Sequence, residues 1–493
     1  MSASNTHLTR QLGLLGLTAT GICSMIGASI YIVPFMIQRN VPGIGPYVLP
    51  AFLFAAVPAI FAALAYIILA SAMPRAGGSY LYASRAIHPY LGFVASFSQW
   101  FGLSIVIGVI SYVVVPFFRD VAVALDWTGI ASLLETPWIR LSLALALLWV
   151  FVYVNILGAK FYERTLIPLM ILMFVLGGIV IISGLSFDHS DFLSALSAKE
   201  GRSLELNETS FHWPTFLSAA ALLFSSFIGF DSIAQAGGEA KNPTKNLPRA
   251  IGLAILSVGL FYIAFTYAVY HAVPWQFVAQ EALEKDITAA GVLSYLLPSE
   301  LGVLILLGAA VALVNDLPAM ILSVSRLVFS WAEDGVFPRG LSKIHPKHQT
   351  PHRAIILSGA VSTIGILGSH FAGDIFLGID IMVTSMLVNF LLMCISVILF
   401  PIRNPGLASQ ISIFQSRLIQ LLIGIGGTFL LTAFLIIHTM KDLNASVSAW
   451  YFHSTPVWLI VMSLATVLFL FHWKKMQSSG VDLKTRFSTL PSE

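Results

Sequence analysis

This sequence carries too little charge to coat a water-soluble globule. Asp, Glu, Lys and Arg make up 10% of its 493 residues, against about a quarter in a typical soluble domain. Most of its folded surface must therefore face lipid. Cysteine is nearly absent as well. Cys23 and Cys394 stand far apart and no CxxC pair occurs, which excludes a disulfide framework and a cysteine metal site. No Walker A motif and no HExxH is present, so the sequence offers neither a phosphate-cradling loop nor the zinc-protease pattern. A net charge of only +3 argues against a nucleic-acid partner. Short alternating strands, which would build a membrane barrel, are also missing.

Long apolar runs are abundant instead: 57% of residues are hydrophobic and the mean hydropathy is +0.87. About twelve runs are long enough to cross a ~30 Å hydrocarbon core as helices. They start near residues 12, 47, 90, 139, 163, 214, 249, 300, 353, 375, 416 and 454. The sequence thus predicts an all-α integral membrane protein. Its first run is long and eleven more follow, so it does not read as a cleaved signal peptide. Placing the N-terminus in the cytoplasm puts 19 of the 26 Lys and Arg residues on that side. The positive-inside bias then predicts that both termini are cytoplasmic, in a multi-pass protein of the cell membrane. The polar stretches 188–213, 275–299 and 332–352 are of loop size, and the first carries the sequon Asn207-Glu208-Thr209. The expected organisation is a tail (1–11), a core (12–400), two further helices (401–473) and a second tail (474–493).

Two spans are interrupted. The first is broken at Gly27-Ala28-Ser29 and the sixth between Ser225 and Gly229. Backbone that leaves helical geometry inside a bilayer is tolerated only where it lines a cavity or is buried in protein. Corresponding breaks in two halves, here about 12–187 and 214–400, point to an inverted repeat with a site at the midplane. For the first break alone, close glycine packing against a neighbouring helix is the slightly better explanation.

Three stretches then resemble one family. They are Gly229-Phe-Asp231 followed by Glu239-Ala-Lys-Asn-Pro243 and Leu247-Pro-Arg-Ala-Ile251; Pro74-Arg-Ala-Gly-Gly-Ser-Tyr-Leu-Tyr82; and Ser325-Arg326 with Ala332-Glu-Asp-Gly-Val-Phe-Pro338. In this order they resemble the sixth helix, the loop between helices 2 and 3, and the end of helix 8 in the amino acid–polyamine–organocation (APC) superfamily. That resemblance implies a leucine-transporter-like five-plus-five inverted repeat and an amino acid held between helices 1 and 6. It implies that the backbone of Gly27, Ala28 and Ser29 meets a carboxylate, and that carbonyls of Met25, Ser225 and Ile228 accept from an ammonium. Phe224 and Phe227 would line or gate the pocket. Ser29 departs from the glycine usual there and would narrow the site, favouring small or neutral substrates. A second departure is Gly238, where an acid often precedes Glu239.

Ionisable groups inside spans are costly and functional by default. Asp231 follows the second break, where it could equally cap freed backbone. Asp316, in Asn315-Asp316-Leu317-Pro318, occupies with Asn315 the positions where sodium-coupled relatives help hold the ion. Proton-coupled relatives often carry a helix-5 lysine, and the matching stretch here, Met170-Ile-Leu-Met173, has none. Asp316, Asn315 and Asp231 are thus the coupling candidates, for H+ or Na+, with no other cofactor expected; a structural hydrogen bond across helices accounts for Asp316 equally well. The reading is a secondary active amino acid transporter, with an exchanger or a polyamine or cationic amino acid carrier as alternatives. A non-transporting receptor of the same fold stays open, and an enzyme is disfavoured because the cysteines lack a partner and the histidines avoid the spans. Trp100, Trp149, Trp331 and Trp473 read as interfacial anchors. Pro351 disfavours a shared helix for His348 and His352.

Overall fold

The computed structural model describes residues 8–27, 29–206, 209–372, 376–447 and 449–491. Twelve helical stretches among them are long and apolar enough to cross a bilayer, the number that hydropathy predicts. An apolar chain in lipid must satisfy its backbone internally, and the helix does so within each segment. The first span is two pieces, α1 (Leu14–Met25) and α2 (Ser29–Asn40), followed by α3 (Val48–Ala72). A short α4 (Gly78–Ala86) leads into α5 (Pro89–Ala124), and α6 (Thr128–Glu135) into α7 (Pro137–Ile156) and α8 (Ala159–Leu185). Pro89 and Pro137 open their helices, where a missing N–H costs nothing.

Polar stretch 188–213 folds α9 (His189–Glu200), whose start is closed by a reciprocal Asp188–Asp191 capping box. The sixth span is again divided: α10 (Trp213–Leu223), a 3₁₀ turn over Phe224–Phe227, and α11 (Ser232–Gln235). Then come α12 (Pro243–Ala272), the short α13 (Trp275–Glu284) and α14 (Ala289–Leu293), and the long α15 (Ser299–Asp334). The chain continues through α16 (His352–Ala372), α17 (Phe376–Arg403), α18 (Pro405–Ala408), α19 (Arg417–Asn444), α20 (Ser454–Ser478) and α21 (Leu483–Ser488). Among the described residues there is no β-strand, only isolated bridges joining Leu12 to Ala240 and Ala76 to Ala236.

Burial ranks the spans. The most apolar window of the divided first span is 88% buried within the protein, that of α20 only 22%. The divided helices are therefore the innermost elements and the last two spans are peripheral.

Two expectations fail in the interior. Trp331 and Trp100 are buried, not interfacial. Trp331 stacks on Phe97 and meets Phe93, Trp100 and Phe337 edge-on or tilted, and its indole N–H donates to Ser96. A tryptophan whose N–H finds a partner can leave the interface. His438 lies buried within α19, sharing its Nε2 with Thr384 Oγ1 and the Asp380 carbonyl, so the histidines do not all avoid the spans. Trp149 is exposed at the periphery, and α16 starts at His352, leaving His348 outside it.

Candidate functional site at the broken helices

The first break follows Met25. Ile26 turns to φ −89, ψ 85, and the helix restarts at Ser29. Ala28 and the side chain of Ser29 lie outside the described residues. In the sixth span the chain leaves the 3₁₀ turn through an extended Ile228 and then Gly229 at φ 135. The two breaks abut. A Cβ on Gly229 would overlap the Ser24 carbonyl and sit 2.8 Å from Met25 N, so both the dihedral and the approach require glycine. Ser24 Oγ meets Ser232 Oγ at 2.8 Å across the same contact. Each break exposes helix-end carbonyls and amides that regular helices would have paired, and these carry the partial charges of the helix dipole.

Part of that freed backbone is already engaged. The Tyr262 hydroxyl, from α12, donates to the Met25 carbonyl at 2.6 Å, and Gly27 N–H donates to the same oxygen at 3.2 Å. Ile228 N–H donates to the Ser225 carbonyl at 3.2 Å. Phe227 is buried against Phe52 and Tyr262, and Phe224 against Phe390 and Phe434. The two phenylalanines thus line the 3₁₀ turn with aromatic rings, Phe227 towards α3 and α12 and Phe224 towards α17 and α19.

The two acids differ in their surroundings. Asp231 is fully buried; one oxygen accepts the Gly229 N–H at 3.2 Å and the other accepts the Gln99 amide of α5. That is the backbone-capping role. Gln99 in turn accepts weakly from Gln235 and Asn389, and Asn389, Tyr66, Ser79 and Gln235 close a buried polar network through the 2.8 Å, 2.5 Å and 2.6 Å bonds between them. None of these amides and hydroxyls was singled out from sequence. The usable signal was that Gln99 and Asn389 are amides in the middle of apolar spans, with Gln235 at the end of the sixth.

Asp316 has less company. Its Oδ2 would stand 2.7 Å from a Cβ on Gly27, so the carboxylate presses against the first break. Its Oδ1 is buried without a hydrogen-bond partner, as is Oδ1 of Asn315. The Asn315 amide donates to Cys23 Sγ at 2.9 Å, which orients that free oxygen. An unpaired buried oxygen costs about 1–3 kcal/mol, and two beside one break mark a place where a cation or proton would be favourable. Below this level, Glu239 and Arg326 form a bidentate ion pair at 2.7 and 3.1 Å, and the Glu239 carbonyl accepts the N–H groups of Gln11 and Leu12. Asp380 lies half-buried near the start of α17, where its carbonyl meets Nε2 of His438 on α19. Among the described residues no cluster of three His, Cys, Asp or Glu side chains could hold a metal ion.

Comparison with known proteins places this geometry. A family model described as amino acid permease matches residues 12–473. The chain is 25% identical over 379 residues to the branched-chain amino acid permease BcaP of Bacillus subtilis, covering 73% of this chain and 75% of that one. It is 27% identical over 387 residues to cationic amino acid transporter 4 of Mus musculus, covering 74% of this chain and 56% of the mouse protein. With the methylthioribose transporter of Bacillus subtilis it shares 23% identity over 496 residues, 95% and 94% of the two chains. A match across nearly the whole length, on twelve spanning helices broken where the motifs predict, makes this chain a member of the amino acid permease family, a multi-pass membrane transporter of the APC superfamily and not an enzyme.

Proposed function

We propose that the chain is a secondary active transporter that moves an amino acid across the cell membrane by alternating access around the two broken helices, with Asp316 as the coupling group. The observation that carries this is the contrast between the two intramembrane acids. Both Asp231 oxygens are partnered, whereas Asp316 faces the first break with Oδ1 unpartnered. A carboxylate in that position either takes up a proton or binds a cation. Moving one charge per cycle then harvests ~2.3 kcal/mol per 100 mV of membrane potential. A proton needs only the carboxylate. Sodium would want several oxygens, and Asn315 Oδ1 is the side-chain oxygen placed to add one; the proton is the simpler assignment.

The substrate's carboxylate would meet the amides at the start of α2, and its ammonium the carbonyls that end α1 and the 3₁₀ turn, of Met25, Ser225 and Ile228. Because Tyr262 already holds the Met25 carbonyl, the ammonium shares or displaces that donor. Relatives named for branched-chain and for cationic amino acids bracket the substrate class; Ser29 in place of glycine, and the aromatic rings of Phe227, Phe52 and Tyr262, favour small neutral side chains. The lysine and arginine bias puts both termini in the cytoplasm.

Purified protein in proteoliposomes tests the reading. Wild type should accumulate a neutral amino acid under an imposed proton gradient more than under a sodium gradient. Asp316→Asn should lose gradient-driven accumulation while exchange at equal concentrations survives. Concentrative uptake by Asp316→Asn would remove Asp316 from the coupling path and leave Asp231 as the candidate.

A further inference from the structure

The seat on which the second half of the sixth span rests is fastened by a distant part of the chain. Helix α4 packs on α11 backbone to backbone. Gly77 N–H donates to the Gln235 carbonyl at 3.2 Å, Ser79 N–H donates to Gln235 Oε1 at 3.3 Å, and a Cβ on Gly78 would lie 2.8 Å from the Ala234 carbonyl. The other end of α4 is held by Arg85, which is buried and paired with Asp334 at the end of α15. Residues of α21 and its flank close over this arginine. Arg85 Nε donates to the Thr489 carbonyl at 3.1 Å and Nη2 to the Arg486 carbonyl at 3.5 Å. Its guanidinium lies 5.1 Å from the centre of the Phe487 ring. Arg486 donates back to the Glu333 carbonyl at 2.8 Å, Asn404 donates to the Ser488 carbonyl at 3.0 Å, and Phe487 packs on Trp473 of α20 at 5.5 Å. The short segment therefore bridges α4, the end of α15, the end of α17 and α20.

We propose that residues 483–489 are a regulatory strap: by clamping Arg85 they hold α4 against α15, and so restrain the opening of this end of the bundle during the transport cycle. The inference rests on the alternating-access reading, since opening this end requires α11 to leave its seat on α4. The strap's bonds are few and only part-buried, and apart from Phe487 its own residues are exposed or half-exposed, which suits an element that detaches without unfolding the spans. Losing the single Arg85–Phe487 cation–π contact shifts a two-state equilibrium by about threefold to tenfold, and losing the two hydrogen bonds to Arg85 as well shifts it further.

Cys23 is a native reporter, fully buried next to the first break. In a Cys394→Ala background, the rate of maleimide labelling of Cys23 reads how often the centre opens, whether or not substrate is moved. Phe487→Ala should raise that rate and the rate of amino acid exchange by about threefold to tenfold, and deletion of residues 482–493 by more than about tenfold, with substrate affinity shifted less than either. If the deletion proves too unstable to purify, Phe487→Ala alone decides. Unchanged labelling in Phe487→Ala would overturn the strap. Faster labelling with no exchange in any variant, wild type included, would keep the strap and overturn the transport reading.

Discussion

The two ends of this helix bundle are closed by ion pairs of opposite character. At the end that holds Leu12, Glu239 and Arg326, both Arg–carboxylate pairs are buried and bidentate: Glu239–Arg326 has side chains 2% and 1% exposed, and Arg85–Asp334 4% and 1% on the acid and base. At the other end Arg39 of α2 meets Asp286 at 2.8 Å with 32% and 80% of their side chains exposed. Arg202 and Lys285 share Glu281 there, again with the bases largely in solvent. The difference teaches where the barrier to opening lies. A buried pair cannot be separated without stranding two charges, whereas an exposed pair exchanges its partner for water at little cost. In this conformation one end is locked and the other merely closed.

The largest effect should come from breaking the lock on one side only. Glu239→Gln leaves Arg326 buried without its counter-charge and should destabilise the protein by roughly 3–5 kcal/mol, read as a large drop in melting temperature by size-exclusion fluorescence. The double variant Glu239→Gln, Arg326→Met should recover most of the loss, because the desolvated charge is then gone on both sides. A double variant as unstable as the single one would mean that Glu239 acts through its other bonds and not through the pair.

That lock shows what the sequence could and could not disclose. Hydropathy is a property of a run of residues, so the twelve spans and the breaks at 27–29 and 225–229 were legible in one dimension. The pairing of Asp316 with the first break followed from a motif position, and the carboxylate indeed presses on Gly27. Arg85 and Asp334, by contrast, are 249 residues apart; the arginine was legible only as one of the basic residues that orient the protein, and the acid only as a letter of the motif that ends helix 8. Gln99 and Asn389 were invisible for a related reason: an amide in an apolar span is functional, structural or merely tolerated according to partners that only folding supplies. Trp331 was misplaced because the partner of its N–H, Ser96, stands on another helix.

A second pair of variants sharpens the contrast with one chemistry applied at each end. Gly77 and Gly43 both have positive φ, 73° and 87°, so alanine at either is strained by about 1–2 kcal/mol. At Gly77 the added methyl would also collide with the Ser330 side chain and lie 3.2 Å from the Arg326 carbonyl, while Gly43 has open space. Gly77→Ala should therefore cost about 2–4 kcal/mol, the strain plus a rigid overlap, and Gly43→Ala only the strain. Equal melting temperatures for the two would show that α4 shifts freely on α15, contrary to the tight packing of the locked end.

The smallest effect belongs to the exposed pair. Asp286→Asn removes the counter-charge of Arg39, but the arginine stays a third exposed and regains water. The expected loss is below about 1 kcal/mol, and 0.5 M salt should erase most of it, since the Debye length is then only about 4 Å. The consequence for the cycle is a different matter from stability. Asp286 precedes Ile287, whose N–H contacts Met36 Sδ of α2 at 3.2 Å, so the pair ties the segment after α13 to the second half of the first span. Asp286→Asn should speed the opening of this end at low salt, measured as faster amino acid exchange in proteoliposomes, with wild type catching up as salt is raised. A variant whose melting temperature falls as far as that of Glu239→Gln would end the distinction between a locked and a merely closed end, because the exposed pair would then be doing the work assigned to the buried ones.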